Sequence, residues 1–306
     1  MSWLADEAGS DAEHTDGIAA LEAVTLLERF KRSRESFFLA VGFYRPHTPY
    51  VAPKRYFDMY PADRIALPKL SDADRTRTPE AAYRSALKEQ DAMTDGQRRE
   101  AIQAYWASTT FMDAQVGHVL DALARLDLAD STIVVFVSDH GYHLADHGLW
   151  QKMSLFERSA RVPLIIAAPS AKVRGGSARA LAELVDVYPT LADLAGLKPT
   201  TPLDGVSLAP MLQDPAASVK NAAFTQVRDG YAIRTDRWRY IEWQEGQRGS
   251  QLYDMDTDPG ETTNLADAAP HAEMVKELRA RIAAYRAAAP GRPVAGAAPA
   301  PSTGRR

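Results

Sequence analysis

The chain has 306 residues, 45% hydrophobic and 25% charged, with 36 Lys and Arg against 40 Asp and Glu. A formal charge of −4 gives no electrostatic footprint for nucleic acid, and no apolar run reaches the ~18 residues that a bilayer span requires. There are no cysteines, which excludes disulfides, thiolate metal sites and a cysteine nucleophile from these residues. The first 17 residues are acidic and polar, without the basic and apolar regions of a signal peptide, so the chain as written reads as cytoplasmic while its compartment stays open.

In chain order, Thr15 or Asp16 is placed to cap a helix whose apolar positions Ile18, Leu21, Val24 and Leu27 recur at helical spacing, ending near Arg32. Residues 37–43 (FFLAVGF) read as a buried strand. Pro46, Pro49 and Pro53 then forbid helix and force an extended loop that carries His47 away from the carboxyl end of that strand. Residues 61–98 read as a charged surface excursion with one short helix. From 99 to 126, Ile102, Tyr105, Trp106, Thr109, Met112, Val116, Val119, Leu120 and Leu123 form one stripe of a long amphipathic helix.

Residues 133–137 (IVVFV) read as a strand buried on both faces, and 164–168 as a second. The first ends in Ser138-Asp139-His140-Gly141, where open α/β sheets bind their ligands. Three of the seven histidines (His140, His143, His147) fall within eight residues there, with Asp146 and Lys152 close by. Further on, 181–194 is helical, with Pro189 in a first turn and Gly196 past the end. Strand-like pieces at 223–227, 231–234, 238–243 and 251–254 predict a small antiparallel sheet, and 269–287 a helix. The Ala/Pro/Gly-rich tail is expected to be disordered. The expected organisation is an α/β domain over 1–220, a small α+β subdomain over 221–288 and a tail over 289–306.

A carboxylate and an imidazole at adjacent positions after a strand make a reasonable pair of metal ligands. Mixed donors suit Mn²⁺ or Zn²⁺, and an oxygen-rich remainder shifts the preference to Ca²⁺ or Mg²⁺. Lys152 offers a point charge for a tetrahedral oxyanion, and His47 a proton or hydrogen-bond donor. A short motif of this kind is more often a structural turn with a solvated histidine, and His143 and Asp146 read as structural, with His147 between the two readings.

Several segments, taken together and in order, resemble the sulfatase family of the alkaline phosphatase superfamily, in its iduronate-2-sulfatase-like branch. They are FLAVGFYRPHTPY from Phe38, YWASTTFMDAQVG from Tyr105, SDHGYHLADHGLWQK from Ser138, ELVDVYPTL from Glu183 and QLYDMDTDPGETTNL from Gln251. The resemblance implies a mixed, largely parallel sheet flanked by helices, with a small C-terminal antiparallel sheet and helix. It implies hydrolysis of a sulfate ester on a small molecule or sugar. It also implies that Asp139 and His140 are ligands of a divalent cation, calcium in this family, and that Lys152 and His47 contact the sulfate, with His147 beside the substrate.

The departure from the family is equally specific. Paired aspartates after an apolar strand and the Cys-x-Pro-Ser-Arg or Ser-x-Pro-Ser-Arg motif, source of the formylglycine nucleophile, are not found in these 306 residues. The leading expectation is therefore a sulfatase-family chain lacking its nucleophile segment and inactive alone, with an N-terminal partner chain or a homo-oligomer as possible completion. The alternatives are a phosphatase or phosphonate hydrolase of the same superfamily, and a non-catalytic partner subunit.

Overall fold

The protein is seen as a computed structural model that describes residues 1–69 and 72–288; the tail at 289–306 lies outside the described residues. The chain divides into two compact units, Met1–Pro68 with Lys88–Ile133, and Lys69–Leu87 with the segment from Val134 onward.

In the first unit, strand β1 (Trp3–Asp6), unforeseen in the sequence, pairs in parallel with β2 (Tyr50–Pro53). Helix α1 (Thr15–Ser33) and the long helix α2 (Asp95–Arg125) pack on each other, and α2 also packs on the strands. A reciprocal cap fixes the start of α2: Thr94 Oγ1 accepts the Gln97 N–H at 3.2 Å, and Gln97 Oε1 accepts the Thr94 N–H at 2.9 Å. The buried side of α2 is Ala101, Ile102, Ala104, Ala107, Phe111 and Leu123, while Trp106 and Leu120 stay exposed. Small residues on both helices allow close approach, since α1 buries Gly17, Ala20, Ala23 and Leu27. The expected stripe of α1 is thus half wrong: Ile18 and Leu21 are each 56% exposed. Asp16 does not cap the helix either, because its carboxylate is committed elsewhere.

Residues 37–43 form no strand. Propensity favours a backbone conformation, whereas a ladder also requires a partner strand, and among the described residues none pairs with them. The expected surface excursion is made of short helical pieces (Ala62–Arg64, Asp72–Arg77, Glu80–Tyr83 and Lys88–Asp91), more than the one expected.

The second unit opens with β3 (Val134–Val137), antiparallel to β4 (Leu164–Ala167). Neither strand is buried on both faces: Val137 is 40% and Ile165 is 61% exposed, and among the described residues each strand pairs only with the other. Helix α3 (Val187–Leu194) follows, with Pro189 in its first turn as expected. Strands β5 (Ala223–Val227), β6 (Gly230–Arg234), β7 (Trp238–Trp243) and β8 (Ser250–Asp254) form an antiparallel sheet in sequence order, and helix α4 (Ala272–Ala287) packs on β6 and β7.

Strand alternation gives this sheet two apolar faces. Ile233, Tyr240 and Leu252 meet Leu278 and Ile282 of α4. On the opposite face Ala232, Ile241, Trp243 and Tyr253 meet Leu149, Leu155 and Phe156. The loop that carries the candidate site is therefore fastened to the C-terminal sheet by core packing. At about 25 cal/mol per Å² of apolar surface, burying Phe156 and Leu155 contributes roughly 2–3 kcal/mol each.

Candidate active site

β3 delivers the chain into Ser138-Asp139-His140-Gly141. Ser138 Oγ donates to the His140 carbonyl at 2.8 Å, and the His140 N–H donates to Asp139 Oδ1 at 3.0 Å, so the turn is knitted by its own polar groups. Gly141 is required here for space: a Cβ would lie 2.1 Å from the Arg158 carbonyl oxygen, and the Gly141 N–H donates to the Ser159 carbonyl at 2.8 Å.

His140 Nδ1 lies 2.8 Å from the Gly141 carbonyl oxygen. A carbonyl only accepts, so Nδ1 carries a proton and Nε2 is the nitrogen left outside that bond. Nε2 faces Asp139 Oδ2 at 3.4 Å, and that carboxylate is 84% exposed. An imidazole with its tautomer set by a backbone carbonyl and a carboxylate beside its free nitrogen is a good two-donor set for a divalent cation. No group of three or more His, Asp or Glu side chains suited to a metal converges among the described residues. These two residues alone therefore do not complete a coordination shell.

The segment after the turn is held by a second set of interactions. His143 is fully buried, with Nε2 2.8 Å from Ser154 Oγ, and Ser154 Oγ donates to Ser159 Oγ at 2.8 Å. Burial, assisted by nearby His147, lowers the His143 pKa from 6.5 to about 4, so the ring is neutral near pH 7. Asp146 accepts the Leu144 N–H at 3.2 Å and the Arg158 Nε–H at 3.1 Å. Both residues serve the loop's structure. Ala145 and His147 stand at φ +75° and +54°, a backbone region costly for side chains bearing a Cβ. The turn puts the His147 ring flat on Phe156, centroids 4.0 Å apart and planes within 9°. Lys152, half-buried, follows five residues later.

Sequence reasoning missed what anchors this segment. Arg239 of β7, 3% exposed, ion-pairs with Glu157, donates from Nη1 to the Leu155 carbonyl at 3.2 Å, and has Nε 2.9 Å from Glu261 Oε1. Glu261, 1% exposed, accepts the Glu157 N–H at 2.7 Å, and burial raises its pKa. Arginine and glutamate in an ordinary strand and loop carry no sequence signal of such pairing. A similar cluster joins Lys220 Nζ to Glu183 and Asp186 at 2.6 Å each, and those carboxylates accept the N–H groups of Phe224 and Val206.

His47 stands in the first unit. Its Nδ1 lies 2.7 Å from the Thr48 carbonyl oxygen, which fixes the proton on Nδ1 and leaves Nε2 free of that bond; its ring centroid is 5.0 Å from that of Tyr44. The loop is pinned at its base by Asp16, whose two carboxylate oxygens accept the N–H groups of Tyr44 and Arg45 at 2.8 and 3.0 Å. The structure thus brings Asp139, His140, His147 and Lys152 into one unit, with the first two in contact, and holds His47 on its own loop.

Helices and sheets with a C-terminal antiparallel sheet place the chain in the alkaline phosphatase-like α/β fold. Among solved structures, the phosphonate monoester hydrolase from Silicibacter pomeroyi matches with TM-score 0.80 and 23% identity over 92% of this chain and 61% of that one. A second, solved in complex with its substrate D-glucosamine-2-N,6-O-disulfate, matches with TM-score 0.76 and 22% identity over 90% of this chain and 69% of that one.

The family model described as Sulfatase matches residues 6–197, and that described as N-sulphoglucosamine sulphohydrolase, C-terminal, matches residues 145–288. A sulfatase of Formosa agariphila is 34% identical over 84% of this chain and 52% of its own length, and the choline-sulfatase of Rhizobium meliloti 34% over 85% and 53%. The chain belongs to the sulfatase family, a family of sulfuric ester hydrolases. It spans about half the length of these two relatives.

Proposed function

We propose that residues 1–306 supply the cation- and sulfate-binding part of a hydrolase acting on the sulfate ester of a small molecule or sugar. The observation that carries this reading is the His140–Asp139 pair. The imidazole proton is committed to the Gly141 carbonyl and the free nitrogen is turned to an exposed carboxylate at the end of β3. A sugar substrate is supported by the fold neighbour solved with a disulfated glucosamine.

Asp139 and His140 would hold the divalent cation, Ca²⁺ in preference to Mn²⁺ or Zn²⁺. A bound cation supplies charge neutralisation for the sulfuryl oxygens. Calcium takes about six to eight oxygen ligands, so most of the shell comes from groups other than these two. Lys152 holds the sulfate as a point charge, and His147, seated on Phe156, borders the ester. His47 keeps the role that family resemblance gives it, hydrogen bonding to the sulfate. With Nδ1 bonded to Thr48, its Nε2 is the nitrogen that would hold or move a proton there. In this reading each of these groups binds or moves a proton, and the formylglycine motif that supplies the family's nucleophile is not among residues 1–306. Turnover therefore needs a nucleophile from outside this stretch.

Calorimetry with Ca²⁺, comparing the chain with Asp139→Ala, tests the cation half. Weak binding lost in the variant is expected, and identical binding by both sinks the assignment.

A further inference from the structure

Three segments of the second unit enclose a cleft of about 650 Å³, within the range of about 300–1,000 Å³ usual for small-molecule sites. Residues 76–81 form one wall, the turn from Gly246 into β8 a second, and Asp267 with Arg279 of α4 the remainder. The walls are tied to each other by the chain itself. Asn264 Nδ2 donates to the Arg77 carbonyl at 2.9 Å and to the Ser250 carbonyl at 3.1 Å, while its Oδ1 accepts the Leu252 N–H at 2.9 Å. Gly249, at φ +96°, brings the turn against Pro79, since a Cβ there would stand 2.6 Å from Pro79 Cγ. Ala81, 2% exposed, roots the first wall in the core that also holds Leu149 and Phe156.

Guanidinium groups reach this cleft from three separate segments, as Arg77, Arg248 and Arg279, beside the carboxylates of Glu80 and Asp267. Arg279 is held in place: its Nε lies 3.2 Å from Tyr240 Oη and 3.3 Å from Oε2 of Glu242, a side chain 4% exposed. Gly246 leaves room for it, because a Cβ would lie 2.5 Å from Arg279 Nη2. Arg248 Nη1 stands 3.9 Å from Asp229, whose other oxygen accepts Arg84 at 2.5 Å, so one carboxylate is shared between two cations. Arg77 is exposed. A planar guanidinium offers paired donors to a sulfate or carboxylate, and groups already fixed in position lose less entropy on binding.

We infer that this cleft binds an acidic saccharide unit. Its sulfate or carboxylate substituent is held by Arg77, Arg248 and Arg279, and its ring hydroxyls donate to Glu80 and Asp267. Three cations against two carboxylates favour a single oxyanion, and a carboxylate accepts hydroxyl donors. No aromatic ring is among the described residues that line the cleft, which disfavours a nucleobase or another flat apolar ligand. The choice of a saccharide rests on the substrate class proposed above. The cleft itself shares no residue with Asp139, His140, His147 or Lys152, so it is a recognition site apart from the sulfate-ester site.

The test is NMR titration of the arginine Nε–H resonances with glucose 6-sulfate, glucuronate, glucose and inorganic sulfate, in the 306-residue chain and in Lys152→Ala. At least one acidic sugar is expected to bind about tenfold or more tightly than glucose, to shift the Arg77, Arg248 and Arg279 signals, and to do so equally in Lys152→Ala. Whichever of the two binds more tightly identifies the substituent as sulfate or carboxylate. Arg77→Gln with Arg248→Gln should reduce its affinity to that of glucose at an unchanged melting temperature. The matching pair of lysine substitutions should keep it within about threefold of the native chain. Acidic sugars that bind no more tightly than glucose, or that shift only other arginines, would overturn the inference. So would full binding by the glutamine pair, or inorganic sulfate binding as tightly as either acidic sugar, which would remove the saccharide. Binding lost in Lys152→Ala would move the contact to the sulfate-ester site and overturn it equally. Because the readout is binding in a chain without Lys152, failure of this site is distinguishable from failure of the proposed hydrolytic role.

Discussion

Asp16, buried in the first turns of α1, accepts the Tyr44 N–H at 2.8 Å across 28 residues of sequence and so fixes where the His47 loop begins. Its second oxygen takes the next amide, that of Arg45. A carboxylate accepting two consecutive backbone donors away from water is worth more than an ordinary surface bond. Asp16→Ala leaves both part-buried donors without their acceptor and is expected to cost about 1–3 kcal/mol. Asp16→Asn, with one acceptor and one misplaced donor group, should fall between. Thermal melts of the three proteins check this, and an unchanged midpoint for Asp16→Ala would show that the loop is held by other means.

The neutral, buried His143 gives stability a defined pH dependence. Its pKa falls from 6.5 in the unfolded chain to about 4 in the folded one, so between these values the unfolded state binds more protons. Stability from this residue is complete above about pH 6.5 and is lost progressively as pH falls toward 4, up to roughly 3 kcal/mol. Urea denaturation from pH 7 to pH 4 should show this slope in the native chain and a flatter one in His143→Gln. Equal slopes in both would remove His143 as the source.

The buried charges beneath the Lys152 segment predict strong asymmetry between single and double substitutions. Arg239→Met strands Glu261, which is 1% exposed, and should cost about 3–5 kcal/mol. Arg239→Met with Glu261→Met removes the stranded charge and should recover a large share of that loss. A double variant no more stable than the single one would show that the network's value lies in its bonds to Leu155 and Glu157. Because these bonds position the segment that begins at Lys152, sulfate affinity should fall with Arg239→Met even at temperatures where the variant stays folded.

Much of this was legible in the sequence, and the exceptions have physical causes. The four C-terminal strands and α4 could be read because each strand finds its partner within a few residues, so local pattern and pairing coincide. Asp139, His140 and Lys152 could be singled out as candidates because ligand-type residues crowd a strand end. Residues 37–43 misled because a strand is a relation between two segments, and the pattern of one says nothing of the other. The α1 stripe failed at Ile18 and Leu21 because helix α2 meets α1 on the face of Gly17, Ala20 and Ala23, where close approach outweighs side-chain hydrophobicity. Asp16, Arg239 and Glu261 act on segments remote in sequence, and composition carries no trace of such pairings.

Lys152 supplies a substitution free of structural consequence. Half-buried on the loop and outside the Arg239 network, it should be replaceable by Ala within about 0.5–1 kcal/mol of stability while sulfate binding, followed by calorimetry, weakens about tenfold or more. Equal sulfate affinity in Lys152→Ala and the native chain would take Lys152 out of the anion site.

In the proposed division of labour these residues bind cation and sulfate while the nucleophile comes from elsewhere. The most direct measurement is turnover of an aryl sulfate, with aryl phosphate and phosphonate esters in parallel, by purified residues 1–306 in saturating Ca²⁺. The account predicts no release of the aryl alcohol above the Lys152→Ala background from any of these esters. Aryl sulfate turnover by the lone chain that disappears in Lys152→Ala would contradict it.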